Sequence, residues 1–251
     1  MKVLLIGDSC EDRYFYGDVK RLNPEAPVPI LEYRRGVTSK GMVWNVRENL
    51  RSFGVEVYTS THPEEIIKTR YIDEKSNQQI MRYDVEPKIE PLSFDFPTEW
   101  NNLYDALVIS DYDKGFLTTE KIFELTSRFV GPVFIDSKKS NLPADAYIKI
   151  NELEYERMAY CNYENLIITR GGEGAEYKGD LYPAEKVNVF DVVGAGDTFL
   201  AALTYGYLKY GRIDKAIPLA NKAAAVAVSL SLIHISEPTR LLSIWYSGVW
   251  L

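Results

Sequence analysis

Asp191-Val192-Val193-Gly194-Ala195-Gly196-Asp197-Thr198-Phe199 follows the alternating stretch Lys186-Val187-Asn188-Val189-Phe190 and leads into a long helical run over residues 200–210. The order strand or strand approach, glycine-rich turn, helix is the junction of an α/β fold. Two glycines around one alanine let backbone approach a ligand without interference from a Cβ atom. A helix opening there aims unsatisfied N–H groups and the positive end of its dipole at an anion. Asp197, in the first turn, would then be a proton acceptor beside an anion site, the pairing that alcohol phosphorylation needs. The same residues also read as a tight turn whose carboxylate merely offsets the helix end.

Outward from this junction the pattern repeats. Lys2 to Ile6 is a short apolar run closed by Gly7-Asp8, as in a buried first strand. Residues 41–53 suit a helix ended by Gly54, and Val55-Glu56-Val57-Tyr58 a strand. Residues 104–110, 133–136, 147–150 and 165–169 are further short buried strands, with helices over 119–129 and 152–160. Such alternation predicts a doubly wound, mainly parallel sheet with helices on both faces. Two segments differ. Residues 14–33 mix aromatics with Pro24, Pro27 and Pro29, and residues 66–72 and 78–85 alternate around Ser76-Asn77 as a hairpin with one wet face. Together they predict a small β lid, from about 12–34 and 66–85, on a domain spanning 1–229.

Composition narrows the function. The chain has 251 residues, 46% of them hydrophobic, and a net charge of −7 with both signs mixed along it. No basic face for nucleic acid is expected. Cys10 and Cys161 are too few for a disulfide framework and are expected to be reduced thiols in a cytoplasmic protein. With only His62 and His234, a His-rich metal site or a Ser-His-Asp hydrolase is hard to build; His62, before Pro63, is expected in a loop. No run approaches the roughly 18 apolar residues of a membrane helix, and the start is too short for a signal peptide. Neither a Gly-x-x-x-x-Gly-Lys-Ser/Thr loop nor a Gly-x-Gly-x-x-Gly loop is present.

Asp191 to Phe199 resembles the second signature of the ribokinase-like (pfkB-type) carbohydrate kinases. The resemblance implies that Asp197 takes the proton of the attacking hydroxyl. It implies too that the Gly194, Ala195 and Gly196 amides stabilise the transferring phosphoryl, and that Asp191 lies beside a monovalent-cation (K⁺) loop. Three more segments match in family order. Asn151-Glu152-Leu153-Glu154 resembles the Asn-x-x-Glu element that holds Mg²⁺ through water, Glu154 being the carboxylate. Thr169-Arg170-Gly171-Gly172-Glu173-Gly174 resembles the ATP loop, with Thr169, Gly171 and Gly174 as nucleotide contacts. Asp8 matches an aspartate that binds sugar hydroxyls. Taken singly, each also reads as a helix cap, a hairpin turn or a strand-end acid.

Within the family the closest likeness is to the heptose 7-phosphate kinases of lipopolysaccharide precursor synthesis. It is carried by Asp12 to Asp18, Arg21 to Pro29, Lys68-Thr69-Arg70, Asn77-Gln78-Gln79, Arg82-Tyr83-Asp84 and Asp111-Tyr112-Asp113-Lys114-Gly115. A phosphorylated sugar needs cations near its distal phosphate, and Arg70, Arg82 and Lys114 are candidates; Arg70 and Arg82 equally suit a solvated strand face. Many relatives pair through the lid, so a homodimer is implied.

Departures accompany the likeness. The family's sugar loop reads Lys40-Gly41-Met42-Val43-Trp44-Asn45 here, so Lys40 replaces a glycine and either blocks the sugar or adds a cation, while Gly41 and Asn45 keep their places. The stretch 58–66 is shorter than in relatives, as though a helix and a strand were missing from the sheet margin. No nucleotidyltransferase segment follows, so a single-domain kinase is expected. Leu230-Ser231-Leu232-Ile233-His234-Ile235-Ser236-Glu237-Pro238-Thr239-Arg240 resembles a translated sequencing adapter, which sets 230–251 apart as non-native; a divergent C-terminus is the other reading.

Overall fold

The structure, a computed structural model, describes residues 1–94, 96, 98–157, 163–189 and 191–229. The expectations for Cys161, His234, Phe190 and segment 230–251 lie outside the described residues.

In chain order the elements are β1 (Lys2–Gly7), β2 (Ser9–Leu22), β3 (Pro29–Met42), α1 (Val43–Ser52), β4 (Glu56–Ser60), β5 (Ile67–Asp73), β6 (Gln78–Val85) and β7 (Ala106–Asp111). Then come α2 (Thr119–Arg128), β8 (Val133–Ser137), β9 (Tyr147–Asn151), α3 (Glu152–Arg157), β10 (Leu166–Thr169), β11 (Gly174–Tyr177), β12 (Asp180–Pro183), α4 (Ala195–Tyr210) and α5 (Ile213–Ser229). They form two compact units, one of Met1–Asp8, Met42–His62 and Ile89 onward, the other of Ser9–Gly41 and Pro63–Lys88.

The larger unit holds an eight-stranded sheet in the order β12-β11-β10-β9-β8-β7-β1-β4. From β10 to β4 every neighbouring pair is parallel, while β11 and β12 add an antiparallel hairpin. The central strands are buried on both faces, which is why they read as unbroken apolar runs. Val3, Leu5, Val108 and Phe134 join one core with residues of α1, α4 and α5, and the opposite-facing Leu4, Ile6, Leu107 and Ile109 are buried as well. Chain order reverses about β1, whose neighbours β4 and β7 come from different parts of the sequence. In open α/β sheets, ligands bind at the carboxyl ends of strands beside such a switch point.

The smaller unit is a four-stranded sheet, β3-β2-β5-β6. β2 and β5 are parallel, β5 and β6 an antiparallel hairpin. Asn77 takes the positive φ that its turn requires.

Two sequence expectations need correction. Residues 186–189 of the stretch 186–190, read as a strand or its approach, have no regular structure, and Val187 and Val189 are exposed. Alternation of polar and apolar residues reports which side chains differ, not whether a neighbouring strand accepts the backbone hydrogen bonds. The segment after Thr169 is not only a loop: a short 3-10 turn, Gly171–Glu173, leads into the β11–β12 hairpin. α4 begins where the glycine-rich motif predicted, with Gly194 as N-cap at φ 77°, a conformation that favours glycine.

Candidate active site

The carboxyl ends of β7, β8 and β9 and the N-terminus of α4 enclose a cavity of about 170 Å³. Its walls are Asp111, Tyr112, Asp136, Lys138, Lys149, Asn151, Glu154, Gly194, Gly196 and Asp197.

Asp197 is buried in the first turn of α4, 4% exposed. The Tyr112 hydroxyl donates to its Oδ1 at 2.7 Å and Asn45 Nδ2 to its Oδ2 at 3.1 Å. Burial lifts its pKa to about 6, assisted by the nearby Asp136 carboxylate; Tyr112, Asn45 and Lys149 work in the opposite direction. A carboxylate that titrates there is ionised at neutral pH yet basic enough to take a proton. Asn45 therefore orients Asp197 here, whereas the sequence resemblance gave it to the sugar.

The first helical hydrogen bond of α4 runs from the Thr198 amide to the Gly194 carbonyl. The Gly196 and Asp197 amides thus stand at the open helix end. The Ala195 amide donates to the Val192 carbonyl at 3.3 Å, which engages one of the three amides expected to form the anion hole. Gly196 also has a packing reason: a Cβ there would come within 2.9 Å of Lys149 Nζ.

Asp8, at the end of β1, is 1% exposed. Its Oδ2 accepts from the Tyr112 and Lys114 amides at 2.7 and 3.3 Å, while Oδ1 has no hydrogen-bond partner. Burial raises its pKa, as does the neighbouring Asp111. An orphaned buried carboxylate oxygen suits an incoming hydroxyl donor. Tyr112 thus holds one carboxylate with its amide and the other with its phenol. His62, expected in a loop, is in one, but buried edge-on against the Phe116 ring.

Asn151 and Glu154 cap each other: the Glu154 amide donates to Asn151 Oδ1 and the Asn151 amide to Glu154 Oε2, both at 2.9 Å. Glu154 Oε1 also lies 3.3 Å from Lys138 Nζ. The cap reading and the cavity-facing position hold together. Thr169 ends β10, with its hydroxyl on the Ile150 carbonyl, and Gly171 and Gly174 bracket the 3-10 turn; none of the three lines this cavity. The Asp191 side chain accepts from the Val193 amide at 3.0 Å, an Asx turn before the glycines.

Of the other sugar candidates, Lys114 belongs to the larger unit and Gly41, Arg70 and Arg82 to the smaller. Arg70 is held by Asp12 at 2.6 Å and lies over the Tyr14 ring, and Arg82 is paired with Asp84. A Cβ on Gly41 would meet Asp12 Oδ2 at 2.2 Å and Cys10 Sγ at 2.8 Å, so its bareness already serves local packing. Lys40 is exposed on β3. Cys10 is a free, buried thiol pushed up to about 12 by burial and Asp12.

Sequence reasoning missed Tyr112 as a ligand of Asp197 and missed Asp136 and Lys149 altogether. One signal was available: Tyr147-Ile148-Lys149-Ile150 places a lysine inside an apolar strand, and a buried charge requires a partner. That partner is Asp136, its cross-strand neighbour, at 2.6 Å.

Comparison with known proteins agrees with this geometry. Residues 146–240 match the pfkB family carbohydrate kinase model. The bifunctional protein HldE of Nitratiruptor sp. is 30% identical over 90% of this chain, and the alignment covers 61% of its own length; the chain thus spans under two thirds of the curated relatives it matches first. Phosphofructokinase-2 from Escherichia coli, solved in complex with potassium, superposes with a TM-score of 0.71 at 16% identity over 98% of each chain. Ribokinase from Thermotoga maritima gives 0.66 at 16% identity, covering 97% of this chain and 98% of its own. The chain thus has the ribokinase-like fold, and its residues 146–240 are similar to the pfkB family of carbohydrate kinases.

Proposed function

We propose that this chain is an ATP-dependent sugar kinase with Asp197 as general base, acting on a sugar that already carries a phosphate, a heptose 7-phosphate in the closest reading. The observation that carries it is a buried, basic carboxylate in the first turn of α4, facing a cavity that the open helix end also lines. Asp197 takes the proton of the acceptor hydroxyl as that oxygen attacks the γ-phosphorus and the bond to the ADP oxygen breaks. The Gly196 and Asp197 amides and the helix dipole offset charge on the transferring group. Asp8 holds a neighbouring hydroxyl through Oδ1.

The Thr169 to Gly174 turn would take the nucleotide, and the Asp191 loop a K⁺ ion. Among the described residues no cluster of three acidic, histidine or cysteine side chains could grip a metal directly. Oxygen donors on the cavity from Asn151 and Glu154 suit Mg²⁺ held through water, as that ion prefers. When bound, Mg²⁺ would neutralise phosphate charge. A cytoplasmic homodimer paired through the smaller unit belongs to the same reading; Tyr33, Met81 and Tyr83, all exposed on that sheet, support the pairing.

ATP turnover measured with a panel of sugars tests the acceptor. Phosphorylated heptose should be used much better than its unphosphorylated form, and Lys114→Ala should raise KM for the phosphosugar more than for ATP. A preference for free ribose, fructose or adenosine would remove the phosphosugar reading and leave the kinase intact. The role of Tyr112 has its own check. Tyr112→Phe removes the donor that does most to lower the Asp197 pKa. The acid limb of the kcat/KM profile should therefore move to higher pH, with KM for ATP unchanged; an unshifted limb would refute the orienting role.

A further inference from the structure

Lys149 has no part in the chemistry set out above, yet it is 5% exposed and lines the same cavity as Asp197. Its position follows from strand register. Phe134 and Tyr147 are opposite one another on β8 and β9, stack at 5.3 Å and meet Tyr207 of α4. Two residues further along each strand, on the same face, come Asp136 and Lys149, so the pair sits toward the carboxyl edge under the start of α4.

Taking an ammonium out of water is costly, and apolar residues of similar size often serve a strand better. Pairing with Asp136 offsets that cost without explaining why a cation is there. Two neighbouring lysines are less suited to an anion in the cavity. Lys139 is held by both Asp111 and Asp113, at 2.8 and 2.6 Å, and Lys138 is about half exposed.

Lys149 is buried, unlike Lys138, and its ion pair is with Asp136 where Lys139 has two carboxylates. Its Nζ pairs with Asp136 at 2.6 Å, and Asp197 and Glu154 line the same cavity, so carboxylates surround it. Its Nζ lies where a Cβ of Gly196 would come within 2.9 Å, against the backbone of the glycine turn. The same surroundings explain the need. A phosphoryl group beside the Asp197 carboxylate would be repelled by it in so buried a setting. A cation on the same cavity offsets that.

We infer that Lys149 is a catalytic residue whose ammonium, steadied by Asp136, contacts the γ-phosphoryl group beside the Gly196 amide as it transfers. This rests on the phosphoryl-transfer reading above. No bond to Lys149 forms or breaks; it supplies charge, and Asp197 alone takes the proton.

Calorimetric titrations with ATP and with ADP, each with Mg²⁺, test it alongside turnover. Lys149→Met should weaken ATP roughly tenfold or more and ADP less than about twofold, because only ATP carries the γ-phosphate. Turnover should fall roughly 10²–10³-fold. The Asp136→Asn/Lys149→Met double variant leaves no buried unpaired charge, so it stays readable should the single variant misfold; its turnover should be just as low. Equal weakening of ATP and ADP, or a double variant within a few-fold of wild-type turnover, would overturn the assignment and reduce Lys149 to a counterion for Asp136. A wild-type chain that binds neither nucleotide would instead remove the kinase reading, and this role with it.

Discussion

Asp197→Asn is expected to lower turnover by roughly 10²–10⁴-fold, the usual worth of a positioned general base, while the folded protein becomes no less stable. The two halves of that expectation have separate causes. Asparagine keeps the size of the side chain and can still accept from Tyr112, but it cannot take the hydroxyl proton. Stability follows from the direction of the pKa shift. Asp197 is raised from 3.8 to about 6, chiefly by burial. Between those values the folded chain binds a proton that the unfolded chain does not, so this group adds stability as pH falls through about 6. Above 6 the buried charge is a standing cost. The neutral asparagine removes it, and Tm at pH 7.5 should hold or rise. ATP should bind no more weakly, since the γ-phosphate no longer faces a carboxylate. Wild-type kcat/KM should decline below about pH 6 as the base protonates. Near-normal turnover in the variant would take Asp197 out of the mechanism, and a large fall in Tm would show that its charge is structurally required.

Physical reasons separate what was legible in the sequence from what was not. The parallel strands were, because burial on both faces leaves a continuous apolar run, and Gly194 was, because the start of α4 needs a positive φ. The hairpin of β11 and β12 was not: four-residue strands with Glu176 and Asp180 in them look like loop, and their pairing depends on the turn at Lys178 and Gly179, both at positive φ. The site shows the same division. Asp197, Asp8 and Glu154 sit in local motifs that a single stretch of sequence displays. Asn45, Tyr112 and Lys149 act on or beside Asp197 from 152, 85 and 48 residues away in the chain, and no local pattern records a contact of that kind.

Gly7→Ala is expected to cost a large share of the stability, on the order of 3 kcal/mol. Gly7 ends β1 opposite Ser110 of β7. A Cβ there would lie 2.0 Å from the Ser110 carbonyl oxygen and 2.8 Å from its carbon. Both are backbone atoms of a buried strand, so no rotamer change relieves the clash and the strand ends must part. The same Ser110 carbonyl accepts the Asp8 amide at 3.1 Å, and that bond is lost as they part. Displacement then passes along β7 to Tyr112, which holds Asp8 with its amide and Asp197 with its hydroxyl. A domain of this size loses about 2–4 °C of Tm per kcal/mol, so Tm should drop by roughly 6–12 °C. Turnover should fall as well, since one shift misplaces both carboxylates. Gly172→Ala is the control: a Cβ there meets nothing within 4 Å, and its Tm should stay within about 2 °C of wild type. If thermal unfolding shows Gly7→Ala to be as mild as Gly172→Ala, then β1 and β7 do not approach as closely as described, and Tyr112 cannot bridge the two aspartates.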